Sequence, residues 1–230
     1  MAQIITTDFH SHILPGADHG SDGIKTSRGQ LDIIAAHGIK TVVATPHFYP
    51  MADNVNTFLK RRGECAARLG SVMTDADPEV LLGAEVLICD GIDKMDGLDS
   101  LAVRGTRCIL LEMPMTKWTE RTYETVDAIS SMGFDVVMAH IDRYDPKQID
   151  ELMRLDVSAQ LNPGVFLSRK GRKFAAKWLE AGKVVAVGSD LHGANEKDYK
   201  EFIDAGASLG KYAEAVEESM RKLLSGAEAI

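Results

Sequence analysis

The chain has 230 residues, of which 45% are hydrophobic and 26% charged, and its formal net charge is -8. These values are typical of a globular protein with one large domain or two small ones, and the negative charge argues against a nucleic-acid partner. Three scattered cysteines exclude a disulfide scaffold and a CxxC zinc site. Because no apolar run reaches membrane-spanning length and no signal-peptide pattern opens the chain, we expect a cytoplasmic protein without membrane insertion.

Segments with strand-like and helix-like patterns alternate from one end of the chain to the other. We predict strands at residues 4–7, 39–45, 79–85, 107–112, 135–140, 157–162 and 183–190. The predicted helices run from a cap at Ser27 to Gly38, from Asn54 or Asn56 to Leu69, over 119–132, 147–154 and 170–181, and from Asp198 onward with breaks near Gly206 and Gly210. Residues 90–105, rich in glycine and aspartate, form a connection with no predicted structure.

Several of these strands are continuous apolar runs, which is typical of a parallel sheet buried on both faces. Seven strands with intervening helices predict an α/β fold, and we favour a closed or nearly closed (β/α) barrel. An open doubly wound sheet is the alternative, because the number of strands does not separate the two. No linker or composition shift divides the chain, so residues 1–230 are expected to form a single domain.

Side chains that bind metals recur at the ends of the predicted strands. On an extended segment, the spacing of His10 and His12 directs both imidazoles to the same side. The carboxyl ends of parallel strands meet at one mouth, and two carboxylates buried there without partners would be costly. Shared metal ions therefore explain the pattern better than separate ion pairs. The candidate ligands are His10, His12, His19, His47, Glu85, Glu112, His140, Asp190 and His192.

So many imidazole and carboxylate donors predict two or three divalent ions, and a donor set without thiolate suits Mn²⁺, Fe or Zn²⁺ better than Ca²⁺. Clustered dications activate water and neutralise phosphate, which predicts phosphomonoester hydrolysis. Arg143 follows His140 closely and is the candidate phosphate ligand, with a rim ion pair to Asp142 or Asp145 as the alternative. No cysteine has an arginine six positions later, which excludes a cysteine-based phosphatase.

In this order, the motifs resemble the polymerase-and-histidinol-phosphatase (PHP) superfamily, and most of all its CpsB/CapC-type protein-tyrosine phosphatases of bacterial capsule and exopolysaccharide synthesis. The resemblance covers about residues 8–195. The motifs that carry it are residues 10–20 with their His-x-His and Asp-His-Gly sequences, Pro46-His47, Gly83-Ala84-Glu85, Leu111-Glu112, the sequence from Ala139 to Tyr144, and Ser189-Asp190-Leu191-His192.

The resemblance implies a distorted (β/α)₇ barrel with a three-metal centre, often of manganese or iron. It implies hydrolysis of phosphotyrosine on the tail of a bacterial tyrosine autokinase, with a metal-bound hydroxide as nucleophile. The implied ligand sets are His10, His12 and Asp190 for one ion, His19, His47 and His192 for a second, and Glu112 and His140 for a third, with Glu85 shared. The implied catalytic residues are Arg143, Asp190 and His192, and the implied phosphate-binding residues are Arg143 and Lys197.

Two positions differ from the usual pattern of that branch: His19 stands where an aspartate is usual, and Lys197 where an arginine is common. A small-molecule phosphatase of the same superfamily, such as one acting on histidinol phosphate, is one alternative. A non-catalytic module stabilised by its metals is another. A shallow mouth would favour a protein tail as substrate, with Phe48, Tyr49 and Trp118 as candidate rim residues.

Overall fold

The computed structural model describes residues 5–230, and within them nine strands and seven α-helices alternate. The strands are β1 (Thr7–Ser11), β2 (Thr41–Ala44), β3 (His47–Phe48), β4 (Glu79–Leu82), β5 (Glu85–Leu87), β6 (Cys108–Glu112), β7 (Asp135–Met138), β8 (Ser158–Leu161) and β9 (Val184–Val187). The helices are α1 (Ile24–Ala36), α2 (Val55–Gly70), α3 (Glu120–Ser131), α4 (Pro146–Leu152), α5 (Arg169–Glu180), α6 (Glu196–Ser208) and α7 (Ala213–Leu223).

The strands form two parallel sheets, β1-β2-β4 and β3-β5-β6-β7-β8-β9, so the fold is mixed α/β as predicted. The prediction of a closed barrel is wrong, because the strands form no closed sheet. The sheets separate where the second and third predicted strands are each interrupted. The second strand stops at Ala44, before Pro46, which has no amide hydrogen to donate to a ladder. The third stops at Leu82 and resumes at Glu85.

On the other side of the molecule, β1 approaches β9 without forming a ladder with it. The amide of Asp190 donates to the carbonyl oxygen of His10 at 2.8 Å, and the amide of His12 donates to that of Leu191 at 3.3 Å. The contact between β1 and the segment after β9 is thus a single bridge, from Ser11 to Leu191. Within each sheet the strands follow one another in chain order, without the reversal that defines a doubly wound sheet.

The interruption between β4 and β5 is supported by a buried arginine. From α2, Arg62 donates through Nη1 to the carbonyl oxygen of Gly83 at 2.8 Å and through Nη2 to that of Ser100 at 3.2 Å. Burial lowers the pKa of Arg62 to about 10. Because a carbonyl between two strands lacks a regular ladder partner, a long cationic donor is well suited to satisfy it.

Most predicted elements are confirmed, and the differences have local causes. The side chain of Asn54 caps α2 by accepting a hydrogen bond from the amide of Thr57, as predicted. The first helix, by contrast, begins at Ile24 rather than at a Ser27 cap, because the Ser27 hydroxyl is buried and donates to the carbonyl oxygen of Ile13 at 2.7 Å. Residues 90–105 form two short 3₁₀ turns, Ile92–Lys94 and Leu98–Leu101.

The first strand and the C-terminal helices differ from the prediction in where they begin and end. The first strand was predicted at residues 4–7, of which residue 4 lies outside the described residues, and it spans Thr7–Ser11 instead. The predicted break at Gly206 is absent, because α6 packs Gly206 against Ile5, and a break at Gly210 is present. After α7, the amide of Ile230 donates to the carbonyl oxygen of Val80 on β4 at 3.1 Å.

Among residues 5–230, none of the helices has both the length and the apolar composition that crossing a membrane requires. The longest is α2, with 16 residues, and several charged side chains lie along it.

Arg62→Ala should lower the free energy of unfolding by about 2–4 kcal/mol, because it removes two buried hydrogen bonds from a charged donor and leaves a cavity. Arg68→Ala is a matched control, since Arg68 lies on the same helix but is exposed, and it should change stability by less than about 0.5 kcal/mol. Urea unfolding of both variants measures the difference. Equal effects would show that Arg62 does not support the interruption.

Candidate metal centre

All nine candidate ligands meet at the carboxyl-terminal end of the strands. His10 lies on β1 and His12 directly follows it, Glu112 ends β6, His140 follows β7, and Asp190 and His192 follow β9, while His19 lies in the β1–α1 loop. His47 and Glu85 begin β3 and β5 and are direct partners in the second sheet. This pair continues the register in which Thr41 pairs with Glu79 on β2 and β4, so the two residues lie next to each other at the mouth despite the interruptions.

The carboxylate of Glu85 lies at the centre of the cluster and is fully buried. Its Oε2 atom is 3.3 Å from Nε2 of both His10 and His12 and 2.9 Å from Nδ1 of His47. Its Oε1 atom is 2.7 Å from Nε2 of His140. One carboxylate is thus surrounded by four imidazoles from three different parts of the chain.

The carboxylate of Asp190 borders the cluster on the side of β1. Its Oδ1 atom is 3.2 Å from Nε2 of His12 and 3.6 Å from Nε2 of His10. Nearby, the His192 ring stacks on that of His12, with 4.1 Å between the ring centroids. The ring of His19 is exposed and lies 4.8 Å from that of His192, so this loop residue also belongs to the cluster.

Glu112 borders the cluster beside His47 and His140. Its Oε2 atom is 3.9 Å from Nδ1 of His47, and its Oε1 atom is 3.9 Å from Nε2 of His140. Burial, together with the negative charge of Glu85, raises the pKa of Glu112 to about 7. Two carboxylates this close to each other need positive charge between them in order to remain ionised together.

The central carboxylate and the imidazole of His10 shift each other's pKa. Burial by itself raises the pKa of Glu85, but the surrounding imidazoles, His10 first, hold that pKa well below its usual range. Burial by itself lowers the pKa of His10, but Glu85 and Asp190 raise it. The buried carboxylates therefore depend on positive charge inside the cluster, whether it is supplied by protons or by cations.

Two ligand candidates have strained backbones. His140, with a φ of 30°, and Asp190, with a φ of 53°, are the only non-glycine residues with positive φ among residues 5–230. Such conformations are held in place by surrounding structure and concentrate at functional sites. Here the amide of His140 donates to the side chain of Gln160 at 2.7 Å.

Two glycines allow the backbone to approach the first two histidines. A Cβ atom at Gly20 would lie 2.2 Å from Cβ of His12, and one at Gly188 would lie 2.4 Å from Cβ of His10. Any side chain at either position would displace the histidine, so the glycine that ends the Asp-His-Gly motif serves to position His12.

Asp18 is a site residue to which the sequence assigned no role, although it lies in the opening motif. Its Oδ2 atom accepts hydrogen bonds from Nδ1 of His12 at 2.7 Å and from the amide of His47 at 3.0 Å. Burial by itself raises the pKa of Asp18, but the hydrogen bond from His12 holds it well below its usual range. A carboxylate on Nδ1 fixes the tautomer of His12 and leaves Nε2 free to face the cluster.

Gln160 and Asn162, on and just after β8, were also missed. The fully buried Gln160 accepts through Oε1 from Nδ1 of His10 at 3.3 Å and donates through Nε2 to Oδ1 of Asn162 at 2.7 Å. Asn162 in turn donates to Oδ2 of Asp190 at 2.9 Å. The available signal was a glutamine between two apolar residues of a predicted strand, which is costly unless it is hydrogen-bonded.

The atoms of the cluster fit divalent cations. Glu85 Oε2, His47 Nδ1 and His192 Nε2 are buried without a hydrogen-bond partner among the described residues. Three groups bring ligand atoms within 4.8 Å of one another: His10 with His12 and Glu85, His12 with His47 and His192, and His47 with Glu85 and Glu112. Unpartnered imidazole and carboxylate atoms converging in this way are a donor set for several ions with nitrogen and oxygen ligands.

Next to the cluster, a cleft of about 300 Å³ is lined by Arg143, Asn162 and Asp190. The guanidinium of Arg143 forms an ion pair with Oδ2 of Asp190, rather than with Asp142 or Asp145, and points to the cluster. Lys197 is exposed in the first turn of α6, and its neighbour Asp198 lines the cleft instead. Arg143 is thus well placed for an anionic ligand, whereas the role of Lys197 stays a prediction.

Of the three aromatic residues expected at the rim, one lies there. Tyr49 is 36% exposed and stacks on His47, with 5.0 Å between the ring centroids. Phe48 and Trp118 are buried in the core. The hydroxyl of Tyr144 lies 3.2 Å from Nδ1 of His140 and accepts a hydrogen bond from the amide of Met113, so it helps to orient His140.

A parallel α/β fold with a histidine–carboxylate cluster at the carboxyl ends of its strands defines a metal-binding α/β protein. The model of the family described as "Capsular polysaccharide synthesis, CpsB/CapC" matches residues 6–225. The chain belongs to this CpsB/CapC family, as its motifs predicted.

Two named relatives and one solved structure are similar to the chain along most of its length. Tyrosine-protein phosphatase CpsB of Streptococcus pneumoniae is 26% identical over 210 residues, covering 83% of this chain and 84% of the relative. Tyrosine-protein phosphatase YwqE of Bacillus subtilis (strain 168) is 23% identical over 201 residues, covering 84% of this chain and 79% of the relative. A crystal structure from work on YwqE and CpsB, described there as unique metal-dependent tyrosine phosphatases, aligns with a TM-score of 0.79 at 21% identity over 97% of this chain and 96% of that one.

Gln160→Met should lower the free energy of unfolding by about 2–4 kcal/mol, because it leaves the buried His140 amide and Nδ1 of His10 without an acceptor. The matched control is Gln30→Met. Gln30 is equally buried, but its Oε1 atom has no partner among the described residues and its Nε2 atom donates only to the carbonyl oxygen of Leu191. Thermal unfolding of both variants provides the comparison. A larger loss for the Gln30 variant would contradict the positioning role of Gln160.

Proposed function

We propose that the protein is a metal-dependent phosphomonoester hydrolase, specifically a protein-tyrosine phosphatase of capsular or exopolysaccharide synthesis. The observation that carries the proposal is the buried Glu85 carboxylate, whose two oxygens face four imidazoles. Membership of the CpsB/CapC family and two relatives described as tyrosine-protein phosphatases support the same activity.

The cluster would hold two or three divalent ions, with Mn²⁺ as the first candidate and Fe or Zn²⁺ as alternatives. Glu85 would be shared between ions, since separate imidazoles face its two oxygens. The proposed ligands are His10, His12, His19, His47, Glu85, Glu112, His140, Asp190 and His192. The geometry supports one revision of the grouping, because ligand atoms of His12, rather than of His19, gather with those of His47 and His192.

When bound, such ions lower the pKa of a coordinated water and neutralise charge on a phosphate. The residues of the chain would do the rest. Arg143 would grip the phosphate through its planar fork of donors after exchanging its present partner, Asp190. Asp18 and Gln160 would keep Nε2 of His12 and of His10 directed to the cluster by accepting from the opposite ring nitrogens.

The substrate would be phosphotyrosine in a protein, in particular in the tail of a bacterial tyrosine kinase in the cytoplasm. The half-exposed ring of Tyr49 next to His47 offers an aromatic surface for the phenyl ring of a phosphotyrosine. The cleft beside Arg143 is also lined by Asp198 and Glu201 of α6. We further propose that residues 1–230 act as a single phosphatase domain, because the buried apolar residues of the described part, 5–230, form a continuous core.

Metal-loaded protein should hydrolyse a phosphotyrosine peptide in preference to histidinol phosphate, and chelation should reduce the rate roughly 10²-fold or more. Re-addition of Mn²⁺, Fe²⁺ or Zn²⁺ in separate samples, with bound metal measured by mass spectrometry, would identify the active ion. A preference for histidinol phosphate would favour a small-molecule phosphatase. A full metal complement without any phosphatase activity would reject the proposal in favour of a non-catalytic module.

Arg143→Ala should reduce kcat/KM for the phosphotyrosine peptide roughly 10²–10³-fold while bound metal stays unchanged, because a bidentate phosphate donor is lost but no ligand is removed. The kcat/KM of Arg143→Lys should lie between those of the wild type and of Arg143→Ala, since lysine keeps the positive charge but lacks the planar fork of donors. Arg154→Ala, at an exposed arginine paired with Glu151, is the control and should leave turnover unchanged. Unaltered turnover of the Arg143 variant would show that phosphate is bound elsewhere.

A further inference from the structure

One helix carries a dense set of positive charges that the proposed metal centre does not use. The segment 169–177 of α5 contains five cationic and no acidic side chains, in a chain whose net charge is -8. All five are exposed. We call them the α5 basic face: Arg169, Lys170, Arg172, Lys173 and Lys177.

The charges of this face are concentrated and mostly uncompensated. Arg169, Lys173 and Lys177 follow one another at intervals of four residues, so they form a stripe along one side of the helix, with Lys170 beside it. Lys177 forms an ion pair with Asp150 on α4. Arg169, Lys170 and Lys173 form no ion pair with any of the residues that the structure describes.

The α5 basic face lies close to the mouth of the metal centre. A 3₁₀ turn, Pro163–Leu167, leads into α5, and Pro163 and Gly164 line the same cleft as Arg143. The turn sits tightly on the helix, since a Cβ atom at Gly171 would be only 2.0 Å from the carbonyl oxygen of Val165. At a rise of about 2 Å per residue, this turn separates the cleft from the start of α5 by about 10 Å.

We propose that the α5 basic face binds an acidic segment of the phosphotyrosine protein substrate while the phosphotyrosine occupies the metal centre. The proposal rests on the proposed phosphatase function. An extended peptide advances about 3.3 Å per residue, so a distance of 10 Å and the length of the stripe place the acidic residues about three to six positions from the phosphotyrosine. Elsewhere the negative net charge would repel such a segment, and the face provides a local attraction of opposite sign.

An acidic peptide fits this face better than a membrane surface does. A helix that binds a lipid surface presents large apolar side chains next to its basic ones. Of the large apolar residues of α5, Trp178 and Leu179 are buried, and Phe174 is half-buried and packs against the core of the protein. Only Leu167, just before the helix, is a large apolar side chain exposed near the basic face. The face can therefore attract negative charge but has little apolar surface to insert.

The test compares two phosphotyrosine peptides, one with a run of glutamates about three to six residues from the phosphotyrosine and one with glutamines there. In metal-loaded wild-type protein at low salt, kcat/KM for the acidic peptide should be roughly 10-fold higher, through a lower KM. The preference should vanish at high salt, where charge is screened. It should also vanish in the double variant Lys170→Glu, Lys173→Glu, which should fold because both lysines are exposed and Lys170 lies in the first turn of the helix, where an acidic side chain is favourable.

Phenyl phosphate, which has no flanking segment, should be hydrolysed equally fast by the wild type and by the Lys170→Glu, Lys173→Glu variant. The matched control is Lys40→Glu, Lys222→Glu, which changes the net charge equally at exposed lysines remote from the mouth, before β2 and in the last turn of α7. It should keep the preference for the acidic peptide.

Three results would overturn the proposal: a preference that survives in the α5 variant, one that the control loses to the same extent, or no preference in the wild type. If the α5 variant instead loses binding to vesicles of anionic phospholipid while the peptide preference stays intact, the face is a membrane contact and the proposal is wrong. Failure of the phosphatase function is a separate result, in which the wild type hydrolyses neither the peptides nor phenyl phosphate.

Discussion

The rest of the structure depends on one buried carboxylate. Glu85 is removed from water, and an ionised side chain in that position is tolerated only when positive charge or hydrogen-bond donors surround it. His10, His12, His47 and His140 supply those surroundings, from three different parts of the chain. Because each imidazole needs a ring nitrogen directed inward, the opposite nitrogen of three of them is held, by Asp18, Gln160 and Tyr144. The cluster is therefore built as two concentric layers, and the outer layer sets the direction of the inner one.

The architecture brings these side chains together on two parallel sheets rather than in a closed barrel. Thr41 pairs with Glu79 on β2 and β4, and His47 pairs with Glu85 on β3 and β5 in the same register. The interruptions therefore move His47 and Glu85 into a second sheet but leave their pairing unchanged. Arg62 fills the position beneath the second interruption, where it satisfies the carbonyl oxygen of Gly83. The buried Arg62 thus supports the segment that leads directly into the central carboxylate.

The sequence predicted what depends on local pattern and missed what depends on packing. Apolar runs located six of the seven predicted strands, whereas the first was placed too early and lies at Thr7–Ser11. The ends of those runs and the loop after the first one contain all nine candidate ligands, because the strands of a parallel sheet end on the same side. The division into two sheets was not predictable in the same way, since β3 and β5 have only two and three residues and leave no periodic signal. Likewise, nothing local to Gln160 identifies His10 as its partner 150 residues away. Ser27 illustrates the opposite error. Its residue type is common at helix caps, but its buried hydroxyl donates to the carbonyl oxygen of Ile13 and does not cap the helix.

The division into two sheets leaves β4 at the edge of its sheet, and the last residues of the chain cover this edge. β4 is the outermost strand of its sheet, and an outermost strand with unpaired backbone groups invites another chain to add to it. Here Ala229 bridges to Leu81 in antiparallel orientation, and the guanidinium of Arg104 donates to the carbonyl oxygen of Ala229 at 2.6 Å. The same backbone groups that would recruit a neighbouring molecule are thereby occupied from within. Self-association through strand addition is therefore blocked at this border.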